Sequence, residues 1–533
     1  MPDIPLDLHF PKAGIDRSQP FGRQPNRAVA NGEYARTTPI AKNVRGFEPR
    51  SNRTRGGSRC GVRKYISTQP SGEEYIIQHL NVIVTKGNPV QLSQSGRVVS
   101  LVTVVEGNVY RLNPGETVWT AAINGTSPLA TPPLNATGLI RSAANNQKLW
   151  FADGINSCVY NPNTNTVSTW AASAGSLPVD EEGNLPTLIE NWRGRILSAG
   201  LLKDPQNLFG SRVGDPTNYD YFPLSPGAND AWAGNLPDSF GLIGDDITAI
   251  IPYNDDLCVI GCDHEIHMLR GDPGAGGQVD LVTRAIGMAF GLPWCVDPAG
   301  TIYFFSNRTG VFSMQPGQPP QRISNGIENI LQQIDTGASG VCMGWDDKFQ
   351  GLHLFVSPLA APGPSTNFYY DQRNKAWFED EFADPNMNPL CCVTFDGNLP
   401  TDRVLLLGSW TGYVYAIDPT ATDDDGVPIN SEVVIGPLVS KNLDDIMLKN
   451  LQAVLGMQSG DVTYEILAGA TAEEALASEP VDSGVFEASR NLSSQVRVAA
   501  HALYIRLRAS APWSLESIRC ITSIQGKIRS RGR

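Results

Sequence analysis

The sequence predicts an all-β protein: a six- or seven-bladed β-propeller preceded by an extended N-terminal arm and followed by a C-terminal antiparallel β-sandwich. Three observations carry this expectation. Short apolar alternations, each bounded by Gly, Asn or Asp, return at a spacing of roughly 35 to 45 residues, the signature of a repeat architecture. With 52 glycines and 39 prolines in 533 residues but only 18% charged residues, the composition is loop-rich and still globular. Beyond residue 425 the periodic text gives way to longer half-buried alternations.

Residues 1–75 read as the arm. The first 64 residues carry thirteen Lys/Arg and five Asp/Glu, a balance of +8, whereas the whole chain is at -13. Everything after Lys64 is therefore at -21, which excludes a uniformly basic nucleic-acid binder. Arg45, Arg50, Arg53, Arg55, Arg59 and Arg63 are interleaved with Gly56, Gly57 and Gly61 and show almost no apolar periodicity. Such a segment reads either as a solvated basic terminus or as one that docks on an acidic neighbour or on nucleic-acid phosphates; as a docking arm it would order on neighbouring subunits, so that deleting residues 1–64 spares the propeller and abolishes assembly.

Residues 76–425 read as the propeller. In the first unit, Leu101-Val102-Thr103-Val104-Val105 meets Val109-Tyr110-Arg111-Leu112 across Glu106-Gly107-Asn108, a hairpin pattern. The second unit runs through Lys148-Leu149-Trp150-Phe151-Ala152, Cys158-Val159-Tyr160 and Thr166-Val167-Ser168-Thr169. Later copies begin at Arg195, Leu257, Gly300, Leu352 and Val404. Small antiparallel sheets bury their faces by stacking radially, which leaves short outer edges and a channel along the axis. A helix with apolar residues at i, i+3, i+4 and i+7 is expected over Ile327 to Ile334, as an insertion between blades. Residues 426–533 supply the sandwich strands and a basic tail, Lys527 to Arg533.

Chemistry is sought and mostly not found. Cys258-x3-Cys262-Asp263-His264-x2-His267 has neither C-x2-C nor H-x3-5-H spacing, and alternation puts Cys258, Ile260 and Cys262 on one strand face. Ser306-Asn307-Arg308-Thr309-Gly310 lacks the Asp and Trp of a sialidase box, and Gly271 to Gly277 has no Lys to complete a phosphate loop. The acidic pairs Glu181-Glu182 and Asp245-Asp246 fall in loops. Trp150, Tyr160, Trp170, Trp192, Tyr303, Trp377 and Trp410 recur with the repeat and are expected in blade cores rather than as sugar platforms. The nine scattered cysteines and the absence of an apolar leader or membrane run point to reduced thiols made in a cytosol. No cofactor, metal or catalytic residue is expected.

Three stretches carry a resemblance: Thr37 to Arg50 leading into Arg55-Gly56-Gly57-Ser58-Arg59; Ser211-Arg212-Val213-Gly214-Asp215-Pro216-Thr217-Asn218-Tyr219; and Tyr303 to Met314 followed by Gln321-Arg322-Ile323-Ser324. Together with the ending Tyr504 to Arg508 and Trp513 to Ile518, they resemble the tail nozzle of short-tailed bacteriophages, also called tail tubular protein B or packaged-DNA stabilisation protein. The resemblance covers nearly the whole chain through loose phrases. It implies a structural, non-enzymatic virion protein made in the host cytoplasm. Its partners would be five further copies in a hexamer, the adaptor (head-to-tail) protein, tail fibre or spike proteins, and packaged DNA passing without sequence-specific binding. The alternative expectation is a propeller that recognises a host-surface glycan or protein.

Overall fold

The computed structural model describes residues 3–86, 97–125, 127–128, 133–234, 243–306, 308–397, 402–440 and 444–524. The basic tail, Lys527 to Arg533, lies outside the described residues, as does Asn307.

Among the described residues, seven antiparallel sheets stand around one axis, six of them laid down from the inside outwards and the seventh completed on its outer edge by an N-terminal strand. Blade 1 consists of Ile77–Lys86, Arg97–Val105, Asn108–Leu112 and Thr120–Ala121. The inner strands of blades 2 to 6 are Arg141–Asn145, Leu188–Trp192, Ile247–Pro252, Trp294–Val296 and Ser339–Asp346. Blade 7 begins with Cys391–Phe395, which packs against Ile77–Lys86 and closes the ring. Six blades are separate sheets, and blade 6 continues into the sandwich. The expected choice of six or seven is thereby resolved to seven.

Tight turns fix the registers. In blade 1, Val105 pairs with Asn108 across Glu106-Gly107, both at positive φ (49° and 72°), the type I′ geometry that matches strand twist. Asn146-Gln147 and Arg193-Gly194 make the same turn in blades 2 and 3. Because strand faces alternate, each blade sends one set of side chains to each neighbour, and among the described residues seven buried apolar clusters lie between neighbouring blades. Ala249, Val259 and Met268 of blade 4 pack on Ile302, Phe304 and Phe312 of blade 5, for example. The expected aromatic residues lie in these cores, with Trp410 half-buried.

The N-terminal segment is not a free arm. Ile4–Leu8 pairs with Ser514–Ile524, and Ala41–Lys42 bridges the outer strand of blade 6, Ala376–Asp380, to Ser431–Val439 of the sandwich. Gly56–Ser58 pairs with both Val44–Arg45 and Ser514–Leu515. Gly61–Lys64 is then the outer strand of blade 7, paired with Val414–Asp418. The first and last parts of the chain thus share one blade.

The glycines that read as flexibility are close-approach positions. A Cβ on Gly56 would stand 1.9 Å from the Phe10 ring, and one on Gly61 would stand 1.8 Å from the Asp423 carbonyl oxygen.

The sandwich is consequently not confined to 426–533. One sheet runs Asp482–Phe486, Val462–Gly469, Ala502–Ala509, Ser431–Val439 and Ala41–Lys42; the other is built on Arg490–Ala500, Ile446–Leu455 and Ser514–Ile524. Between them lie Leu448, Leu451, Ile466, Ile505, Trp513 and Ile518, in a core continuous with Tyr369 and Trp377 of blade 6. The expected inter-blade helix is present but short, Glu328–Leu331, with Ile327 and Leu331 buried on that same core.

Candidate functional site

The six arginines expected to face partners mostly face inwards. Arg45 Nη1 and Nη2 donate to the two oxygens of Asp380 at 2.7 Å each, and the guanidinium lies 4.1 Å from the centroid of the Tyr369 ring. Arg59 holds Asp424 in the same two-pronged way, at 2.8 and 2.5 Å, while its Nε donates to Asn43 Oδ1. Burial raises the Asp380 carboxyl, but Arg45 and Arg59 outweigh it and hold the group below the usual carboxylate range. Arg63 pairs with Asp423, Arg55 with Glu48 and Glu516, and Arg50 donates to Ser58 Oγ. Arg53 alone among the six is exposed. The segment is an internal clamp rather than an exposed basic arm, because its charges neutralise carboxylates of blade 6, of the segment after blade 7 and of the sandwich.

The axis is the second site; its channel was expected from the repeat, but none of the residues at it was. Arg141, on the inner strand of blade 2, is 7% exposed; Nη1 donates to the carbonyl of Ile140, while Nε and Nη2 have no hydrogen-bond partner among the described residues. Glu190 on the inner strand of blade 3, Ala249 of blade 4, and Gly291, Leu292 and Trp294 at the entry to blade 5 line a space of about 10 Å³ beside it. The field of Arg141 reaches His79 of blade 1, Cys342 of blade 6 and Cys391 of blade 7. Burial pushes the Glu190 carboxyl up to about 8, against the pull of Arg141, and pushes Arg141 down to about 10. His79 accepts or donates one hydrogen bond with Ser142 Oγ at 2.7 Å, and burial lowers it to about 3. At this level the expected axial channel is narrowed: Arg141 of blade 2 and residues of blades 3 to 5 converge on a space of about 10 Å³. The one sequence signal was a charged residue at the start of an inner strand, Arg141-Ser142-Ala143-Ala144-Asn145, which periodicity alone cannot tell from an exposed position.

A third feature is an open polar cleft of about 720 Å³ between the N-terminal segment and blades 5 and 6, lined by Arg27, Arg322, Lys375, Glu328, Tyr303 and Tyr370 among others. Arg27 is paired there with Asp16 at 2.5 Å.

The remaining sequence candidates have structural roles in place. Cys258, Ile260 and Cys262 share the core between blades 3 and 4, and His267 lies on the return strand against Glu265. Asp245 accepts from the backbone N–H of His264 at 2.6 Å and of Glu265 at 3.2 Å, capping that hairpin. Glu181 and Glu182 lie exposed in the loop before blade 3.

No family model and no curated protein matches the chain. Among solved structures it is similar to YCF48 bound to a D1 peptide, at 10% identity and a TM-score of 0.38, over 68% of this chain and 97% of that one. It is similar to the extracellular domain of the putative hybrid two-component system BT4673 from B. thetaiotaomicron, at 13% identity and a TM-score of 0.44. That match covers 83% of this chain and 56% of the other, so the chain spans about half the length of that domain. YCF48 from Cyanidioschyzon merolae follows, at 11% identity and a TM-score of 0.38, over 67% and 99% of the two chains. Likeness at this level says nothing of function.

Proposed function

We propose that the chain is a structural virion protein, a subunit of the tail nozzle of a short-tailed bacteriophage, which extends the portal–adaptor channel, retains packaged DNA and gates its ejection. The resemblance supplies the identity of the assembly, and one observation supports the reading physically: most of the basic segment is consumed in internal ion pairs. A chain at net -13 that spends Arg45, Arg55, Arg59 and Arg63 on its own carboxylates presents an acidic exterior. DNA that must move quickly past a surface is best met by one with few cation–phosphate contacts, since each such contact adds counterion-release affinity. The DNA path in this reading runs between the six subunits, along their acidic faces. The experiment is the mass of the purified chain, alone and mixed with portal-side tail proteins, by light scattering with negative-stain imaging. Six-fold rings with an axial hole, or assembly only with a portal-side partner, are expected; a stable monomer that ignores tail components overturns the proposal.

The polar cleft favours one other reading, a propeller that recognises an acidic host-surface glycan through Arg27, Arg322 and Lys375. Binding of such a glycan by the monomer would carry that reading instead.

A further inference from the structure

Burying a guanidinium without an anionic partner is costly, because the low dielectric strips its hydration without returning an equivalent interaction. Arg141 is in that position: among the described residues it makes no ion pair within 4.0 Å, and two of its three nitrogens, Nε and Nη2, are buried with no hydrogen-bond partner. The space is built. Gly291, at φ 122°, leaves the flank of Nη2 open, where a Cβ would stand 3.6 Å from that nitrogen. Inner strands and their entry loops from blades 2 to 5 wall the rest, and the volume of about 10 Å³ matches one small particle.

We propose that the propeller axis holds a binding site for a single halide-sized anion, chloride under ordinary conditions, bound by Arg141 Nε and Nη2. This goes beyond the nozzle reading and does not depend on it. In a space this small a monatomic anion is favoured over a tetrahedral oxyanion, and a water would satisfy donors but leave the charge uncompensated. The groups facing Arg141 are Glu190, His79, Cys342 and Cys391. Burial keeps His79 neutral and raises both thiols, so Glu190 is the one resident group able to replace the anion. Its carboxyl, pushed up to about 8, is protonated at neutral pH; there the anion is needed, and above that pH the carboxylate takes over its role.

The test uses the full-length chain in sodium gluconate, with chloride, bromide or sulfate exchanged in at constant ionic strength. At neutral pH the melting midpoint is expected to rise saturably by about 1–2 °C with chloride or bromide and not with sulfate. The halide response should fade well above pH 8 in the wild type and persist there in Glu190→Gln. Crystals grown in bromide should show one anomalous peak beside Arg141. Arg141→Gln should abolish the response; if that variant does not fold, the bromide peak and the Glu190→Gln comparison decide. Equal melting in halide and gluconate with no axial bromide peak overturns the proposal and leaves a water in the site, as does an equal response to sulfate.

Discussion

Arg45 and Asp380 show how the chain uses charge where its sequence suggests looseness. Both are nearly fully buried, joined by two 2.7 Å hydrogen bonds and roofed by Tyr369, with Arg59 and His353 at the edge of the same cluster. Such a pair stabilises little relative to a hydrophobic replacement, but removing one partner strands the other in a low dielectric. Arg45→Ala is therefore expected to cost about 3–5 kcal/mol. Arg45→Met combined with Asp380→Leu should recover a large part of that loss. Chemical denaturation of the two single variants and the double variant measures the coupling; strictly additive losses would mean that the pair is not the unit that matters.

At the scale of elements, Gly61–Lys64 decides how the ring closes. It is the outer strand of blade 7, Val62 is buried against Leu407 and Ile417, and the segment brings Arg59 to Asp424 and Arg63 to Asp423. Deleting residues 1–64 would bare the edge of Val414–Asp418 and leave Asp424 and Asp380 buried without their cations. At about 3–5 kcal/mol for each stranded charge, the loss is comparable with the whole stability of a typical domain. The expected outcome is aggregated or early-melting protein, seen by size exclusion and circular dichroism; wild-type melting would restore the picture of a dispensable arm. This is also where legibility ended. The blades were readable because a two-residue period with I′ turns, as at Glu106-Gly107 and Asn146-Gln147, is local information. The clamp was not, because its partners lie more than 300 residues away, as Asp380 does from Arg45. Gly56 and Gly61 look the same in sequence whether they serve flexibility or close approach. Arg141 was invisible for the same reason: its meaning comes from several blades converging on one axis.

Across the whole molecule, propeller and sandwich are a single construction. The nine-stranded sheet that begins as blade 6 crosses Ala41–Lys42 and ends in the sandwich at Asp482–Phe486, so backbone hydrogen bonds run unbroken between the two. The second sandwich sheet is completed by Ile4–Leu8, Val44–Arg45 and Gly56–Ser58, while Phe10 packs on Trp513 at 6.3 Å between ring centroids. Residues 426–533, which composition marks off as a domain, therefore lack strands on both sheets and part of their core. Expressed alone, this segment is expected to melt without cooperativity and to show solvent-exposed emission from Trp513, its only tryptophan. Adding residues 1–60, which contain no tryptophan, should shift that emission to the blue and restore a cooperative melt, because the added strands supply the missing hydrogen-bond partners and cover the Trp513 ring. A cooperative melt with buried Trp513 emission from 426–533 alone would show that the sandwich folds independently. The N-terminal strands would then be fastenings rather than parts of its core.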